Sequence, residues 1–277
     1  MAAILCSIAS GSNGNCYYVG TSTEAVLVDV GISCREVEKR MAAQGLHMSS
    51  VKAIFLSHEH TDHLRGVEVL AAKWKLPVYG SGGTLRRSYL QLPAEQIRFI
   101  NGGSYTPMGC LSVHAFGKRH DAAEPLSFTV TCKGVHIGVF TDIGRCCNAV
   151  SGAFGRCHAA VLESNYDEQM LENGGYPAHL KNRIRGGFGH LSNTEALQLF
   201  LQHRSPQLSH LLLGHISKNN NHPEAIERLF RPHAGSTHII IAGRFAPTKA
   251  YSITANDSVS TIHRQRLLPQ QLRLFAG

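Results

Sequence analysis

Short apolar runs recur along the chain, most of them bounded by glycine, asparagine or aspartate. Ile4–Ile8, Tyr17–Val19, Ala25–Val28, Ala53–Leu56, Ser112–Ala115, Ser127–Thr131, His136–Phe140, Ala159–Leu162, Leu211–Leu213 and His238–Ile241 have the Val, Ile, Phe and Tyr content of strands. Helical spacing of apolar residues lies between them, over Arg35–Gln44, Leu64–Lys75, Ala178–Ile184, Asn193–His203 and Pro223–Phe230. The fourth of these has a defined start: Ser192 followed by Glu195 makes a capping box ahead of Leu197, Phe200 and Leu201. Strands outnumber helices, both types run through the whole chain, and no Pro/Gly/Ser-rich linker divides it. This pattern predicts one layered α/β domain over residues 1–277, with sheets inside and helices outside. Residues 254–277 are more polar and basic, with Arg264, Arg266 and Arg273, and are expected to form a peripheral tail.

Composition narrows the classes. A chain of 277 residues with 43% hydrophobic and 17% charged residues buries a core without help from disulfides. No apolar run approaches the roughly 18 residues of a spanning helix, so no membrane partner is expected. The opening MAAILCSIASGSNGN lacks early Lys or Arg and reads as a first strand rather than a secretory signal. Eight cysteines without a C-x-x-C pair read as reduced thiols, which points to the cytoplasm. The excess of 27 Lys+Arg over 19 Asp+Glu gives +8 and favours an anionic partner such as nucleic acid. Seventeen histidines turn attention to metal binding.

The histidines are patterned. Ser57-His58-Glu59-His60-Thr61-Asp62-His63 follows the apolar run Ala53–Leu56. At a strand end, residues two apart point the same way, so His58 and His60 reach one point together. Asp62 and His63, where the chain turns toward the next helix, face a second point. Four N/O ligands in six residues suit a pair of divalent cations, and the lack of cysteine argues against a structural zinc finger. Other strand ends offer the missing ligands: His120 beyond Ser112–Ala115, Asp142 after His136–Phe140, placed to bridge both ions, and His215 after Leu211–Leu213.

The order of these motifs resembles the metallo-β-lactamase fold and, within it, the YycJ/WalJ-type nucleases. The resemblance covers nearly the whole chain. It includes Ser10-Gly11-Ser12-Asn13-Gly14-Asn15, Leu27-Val28-Asp29-Val30-Gly31, the H-x-H-x-D-H run, His120-Asp121-Ala122-Ala123-Glu124-Pro125 and Phe140-Thr141-Asp142. It continues through Leu162-Glu163-Ser164-Asn165, Tyr176-Pro177, Leu180-Lys181-Asn182-Arg183-Ile184, Gly189-His190-Leu191-Ser192-Asn193 and His215-Ile216-Ser217-Lys218-Asn219-Asn220. It implies an αββα sandwich of two mixed β-sheets flanked by helices, with the metals at one edge. It assigns His58, His60 and His120 to one ion, Asp62, His63 and His215 to the other, and Asp142 to both. It further implies 5′-to-3′ exonuclease action on DNA and a link to repair. Tyr166 stands where relatives often carry histidine, so no ligand or proton-transfer role carries over to it.

The expected chemistry is attack on phosphorus by a water that two cations acidify, with Asp62 orienting it. His190 is expected to protonate the leaving oxygen, by analogy with a Gly-His motif of RNase Z. Asn165, Ser217 and Lys218 are expected to contact substrate. Arg86-Arg87, Lys118-Arg119 and Lys181/Arg183/Arg185 are candidate phosphate patches. Imidazole and carboxylate ligands suit either manganese or zinc. The short stretch between Asp142 and His215 leaves no room for a large inserted domain. Competing readings are a phosphodiesterase for small cyclic or nucleoside substrates, an RNase Z-like endoribonuclease, and a non-catalytic nucleic-acid-binding module.

Overall fold

The strand runs pair into two sheets. In chain order the first six strands are β1 (Ala3–Ala9), β2 (Cys16–Gly20), β3 (Ala25–Val28), β4 (Val51–Phe55), β5 (Val78–Gly80) and β6 (Ile97–Phe99). The next eight are β7 (Tyr105–Met108), β8 (Leu111–Gly117), β9 (Leu126–Cys132), β10 (Val135–Phe140), β11 (Ala159–Glu163), β12 (His210–Gly214), β13 (His238–Ile241) and β14 (Tyr251–Ile253). One seven-stranded sheet has the order β14-β1-β2-β3-β4-β5-β6, the other β13-β12-β11-β10-β9-β8-β7. Each is mixed: β1–β3 and β7–β10 pair antiparallel, while β3–β6 and β10–β13 pair parallel. The computed structural model describes residues 2–255. The expected peripheral tail therefore lies, from residue 256 on, outside the described residues.

Nine α-helices are described: α1 (Cys34–Ala43), α2 (Thr61–Leu64), α3 (Val67–Trp74), α4 (Gly82–Arg87), α5 (Asn148–Phe154), α6 (Glu168–Asn173), α7 (Ala178–Arg185), α8 (Asn193–His203) and α9 (Pro223–Phe230). Side chains alternating along the strands split the core into layers. Tyr17, Val28 and Phe55 of one sheet meet Val113, Phe128 and Val161 of the other. Ile54 and Leu56 point the opposite way, against Val37, Met41 and Leu70 under α1 and α3. Phe140 and Leu213 face Phe154, Phe200 and Phe230 under α5, α8 and α9. Burying each such side chain is worth roughly 1.5–3 kcal/mol. The result is the αββα order expected from the motifs.

All ten expected strands occur, with small shifts at their ends. The capping box at α8 is present in both directions, Ser192 Oγ accepting from Glu195 N and Glu195 Oε2 from Ser192 N. The expected helix Leu64–Lys75 is instead two, α2 and α3, broken at Gly66. There the Gly66 N–H donates to Val30 O, and a Cβ would collide with Ile32 O. Strands β5, β6, β7 and β14 had no counterpart in the pattern. Three of them close sheet edges, and β7 carries Pro107, which an edge strand tolerates.

This layout positions the site. In parallel sheets, ligand-binding residues gather beyond the carboxyl ends of the strands. Here β3 runs into Asp29, β4 into Ser57-His58, β10 into Asp142, β11 ends at Glu163, and β12 runs into His215.

Candidate metal centre

Four imidazoles share one hydrogen-bonding logic. Ser57 Oγ donates to Asp29 Oδ2 at 2.8 Å and so is left to accept from His58 Nδ1 at 2.9 Å. His63 Nδ1 faces Asp29 Oδ2 at 2.7 Å. His120 Nδ1 donates to Gly189 O at 2.9 Å, and His215 Nδ1 to Glu163 Oε1 at 2.9 Å. An Nδ1 proton committed to an outer partner leaves Nε2 as the atom that offers a lone pair once any second proton is displaced. Those four Nε2 atoms point inward. His60 is reversed: its Nδ1 lies 3.1 Å from His58 Nε2 and 3.3 Å from His120 Nε2.

The carboxylates complete the cage. Asp62 Oδ2 lies 3.5 Å from His63 Nε2 and 3.4 Å from His215 Nε2, steadied by Asn15 Nδ2 at 3.2 Å. Asp142 stands between the two groups of imidazoles. Its Oδ2 is 3.1 Å from His63 Nε2, and its Oδ1 is 3.3 Å from His215 Nδ1 and 3.9 Å from His120 Nε2. Asp142 Oδ2 is fully buried yet makes no well-formed hydrogen bond. An anionic oxygen in that state needs a cation.

All seven expected ligands come together. His58, His60 and His120 form one group with ligand atoms within 4.8 Å of one another, and Asp62, His63 and His215 form another. His58, His63 and Asp142 link them, and Asp142, Glu163, His190 and His215 form a fourth group. Converging lone pairs and an orphaned buried carboxylate oxygen fit divalent cations, and the N/O donor set suits zinc or manganese chemistry.

Charge is balanced unevenly inside the cage. Burial opposes a charge on His63, but Asp142, Asp29 and Asp62 outweigh it and hold its pKa well above the ordinary imidazole value. Burial opposes a charge on His215 too, yet Asp142, Asp62 and Glu163 raise its pKa to about 10. His58 goes the other way: burial, with the charges of His63 and Lys118, holds it well below. Burial, only partly opposed by Asp142, lowers His120 to about 4. For Asp62 and Asp142 burial pushes upward, but His63 and His215 keep both below the usual carboxylate range.

Three residues that follow strand ends adopt left-handed backbone: Asp29 at φ 59°, Asp142 at φ 53° and His215 at φ 51°. Outside glycine this conformation costs about 1–2 kcal/mol per residue.

His190 enters beside the cage. Its Nδ1 meets Glu163 Oε1 at 2.8 Å, the same oxygen that receives His215 Nδ1, and it keeps 20% side-chain exposure. Glu163 and Asp29, both buried, carry the outer hydrogen bonds of His215 and His63, and the sequence pattern assigns neither a role. Their signal was a carboxylate at the carboxyl end of a parallel strand, the same signal that marks Asp142.

The expected substrate contacts are placed differently. Asn165 is buried and spends its Nδ2 on His215 O at 2.7 Å, so it positions that histidine's backbone. Ser217 is half-buried and accepts from Asn220 N at 3.3 Å; Lys218 is exposed. Lys118 is buried with Nζ donating to Thr141 O at 2.7 Å, so only Arg119 of that pair reaches the surface. On α7, Lys181 donates to Glu172 O, Arg183 pairs with Asp121, and Arg185 with Glu172. Tyr166 packs in a small apolar cluster with Leu171 and Ile184.

Comparison with known proteins agrees with this architecture. The family described as beta-lactamase superfamily domain matches residues 24–216. The exodeoxyribonuclease YycJ of Bacillus anthracis is 34% identical over 78% of this chain and 83% of its own length. The exodeoxyribonuclease WalJ of Streptococcus pneumoniae is 31% identical over 77% of this chain and 81% of its own. Among solved structures, the metallo-beta-lactamase fold protein YhfI of Bacillus subtilis superposes with a TM-score of 0.66 at 16% identity, over 90% of this chain and all of YhfI.

Proposed function

The chain belongs to the beta-lactamase superfamily and, within it, to the family of the exodeoxyribonucleases YycJ and WalJ, and from that membership we propose that it is a metal-dependent nuclease digesting DNA from the 5′ end. Four imidazoles whose Nδ1 protons are committed and whose lone pairs converge carry this reading. His58, His60 and His120 would hold one divalent cation, Asp62, His63 and His215 a second, and Asp142 both. Manganese or zinc would fill these places. A bound cation pair supplies Lewis acidity to the phosphodiester and to the attacking water.

The protein's own groups then divide the work. Asp62, the most exposed of the ligand carboxylates at 21%, orients the attacking water. His190 gives its proton to the departing oxygen, a task suited to an imidazole. Glu163 holds His190 through Nδ1, which turns the other ring nitrogen away from the buried carboxylate. The +8 charge draws a polyanion toward the site. Both sheets give residues to the one centre, which supports reading the described residues as a single domain. Eight unpaired cysteines support a cytoplasmic location, and no helix among the described residues is long and apolar enough to cross a membrane.

Digestion of end-labelled duplexes, with and without a 5′-phosphate, across manganese, zinc and magnesium tests the reading. Metal-dependent shortening from the 5′ end is expected. Intact strands with every metal would overturn it, and turnover of a cyclic nucleotide alone would make the protein a small-substrate phosphodiesterase.

A further inference from the structure

Next to the cage, Arg119 and Arg145 face each other across an isolated antiparallel bridge. Both are exposed, and neither guanidinium has a hydrogen-bond or ion-pair partner among the described residues. Lys181, Arg183 and Arg185 of α7 are engaged, unlike this pair. The two arginines line an open pocket of about 570 Å³ with Cys146, Cys147 and Asn148. Arg119 directly precedes His120, and its carbonyl accepts from Gly144 N, two residues beyond Asp142. The backbone that carries the pocket is thus continuous with the strand ends that carry His120 and Asp142.

Phe188 stands beside it with 56% of its surface exposed. Its backbone is not free: Phe188 O accepts from Asp121 N, Gly189 O takes the His120 Nδ1 proton, and His190 N donates to Ile184 O. Gly144 packs so closely on Phe188 that a Cβ would collide with its backbone, and Arg145 lies against Gly187. An exposed apolar ring on a fixed backbone, two residues from His190 and next to the Gly187 that Arg145 lies against, offers with the two arginines the two kinds of contact a nucleotide needs. Arginine forks hold phosphate oxygens, and aromatic rings stack on bases without regard to sequence.

We propose that Arg119, Arg145 and Phe188 form a nucleotide subsite beside the metal cage, the arginines holding a backbone phosphate and the ring stacking on its base. The subsite rests on the nuclease reading and names the substrate part it takes: one strand of unpaired nucleic acid. It also explains why Arg145, absent from the basic patches visible in sequence, sits unpaired at the surface.

The test is binding of a short fluorescent single-stranded DNA with phosphorothioate linkages to the metal-loaded full chain, followed by anisotropy over a range of salt. Digestion of the unmodified strand runs in parallel. R119E/R145E is expected to weaken binding about tenfold or more and to lower the log–log salt slope by about 0.7 for each lost contact. R119K/R145K keeps the charge and is expected to retain the slope. Phe188→Ala is expected to weaken binding about fivefold or more, with Phe188→Tyr restoring it. On a strand of abasic nucleotides the Phe188→Ala effect disappears while the arginine effect stays. Wild-type binding and slope in R119E/R145E, or a Phe188→Ala loss that persists on the abasic strand, overturns the subsite. A wild-type protein that shortens no strand with manganese or zinc sinks the nuclease reading instead, so the two failures are told apart.

Discussion

Asp29 Oδ2 lies 2.7 Å from His63 Nδ1, and neither side chain has any exposed surface. The carboxylate takes the Nδ1 proton and holds the Nε2 lone pair toward Asp62 and Asp142. Asp29→Asn keeps the size but removes the charge and turns an N–H toward the ring, which favours the opposite tautomer. This variant is expected to lose about 10–100-fold in metal affinity, measured by competition with a chromophoric chelator. Wild-type affinity in a folded D29N protein would show that the carboxylate does not set the tautomer.

Glu163 joins His190 and His215 through one oxygen, which separates two roles by experiment. His190→Ala is expected to lower kcat on DNA about 100-fold or more while both cations stay bound. Glu163→Gln is expected to lower kcat and also to loosen the ion at His215. Metal content by mass spectrometry, read beside kcat, decides. Loss of a cation from H190A would make His190 a ligand rather than a proton donor.

The raised imidazoles set a pH dependence with a definite sign. His215, at about 10 in the fold against 6.5 ordinarily, stabilises the metal-free protein fully below about pH 6.5, and that contribution is lost as pH rises toward 10. His120, at about 4, acts on the other side: between pH 6.5 and 4 the unfolded chain takes the proton more readily, so stability falls on acidification. From these two groups the metal-free protein should melt highest close to pH 6.5, and calorimetry at a series of pH values checks this. Metal must displace the His215 proton, so affinity should rise about tenfold per pH unit for each proton released, measured from pH 6 to 8. A flat profile would mean that His215 is already neutral.

Gly31 N donates to Asn15 O at 2.7 Å, and a Cβ at Gly31 would run into the Asp62 carbonyl oxygen, which itself accepts from Asn15 N. Backbone cannot yield there as a flexible side chain would. Gly31→Ala should destabilise by about 3 kcal/mol or more and move Asp62 out of the cage. Urea unfolding and metal content together test it. A stable G31A with full metal would mean that the β3 loop relaxes freely.

The parts legible in sequence are those that local pattern dictates. The long interior strands announce themselves as Val/Ile/Phe runs, and α8 by its Ser192–Glu195 box. The H-x-H-x-D-H run and the lone His120, Asp142 and His215 were readable because each follows a strand. The short strands β5, β6, β7 and β14 are not readable, because glycine, proline or polar residues interrupt their few positions and their pairing comes from neighbours far along the chain, whereas the equally short β3 and β13 are apolar runs. The break at Gly66 has the same origin: a tertiary hydrogen bond to Val30 outweighs the apolar spacing that runs on to Trp74. Glu163 and Asn165 illustrate a subtler case. Both lie in a motif visible in the chain, but which atoms they serve depends on β11 standing between Asp142 and His215.

The left-handed turns at Asp142 and His215 would tie a bound cation to the survival of the fold itself. Each bends the chain against its own steric preference so that a donor already faces inward, and coordination would offset those bends. A cell short of the right ion would lose more than turnover. Empty molecules would open sooner, and proteases would find them first.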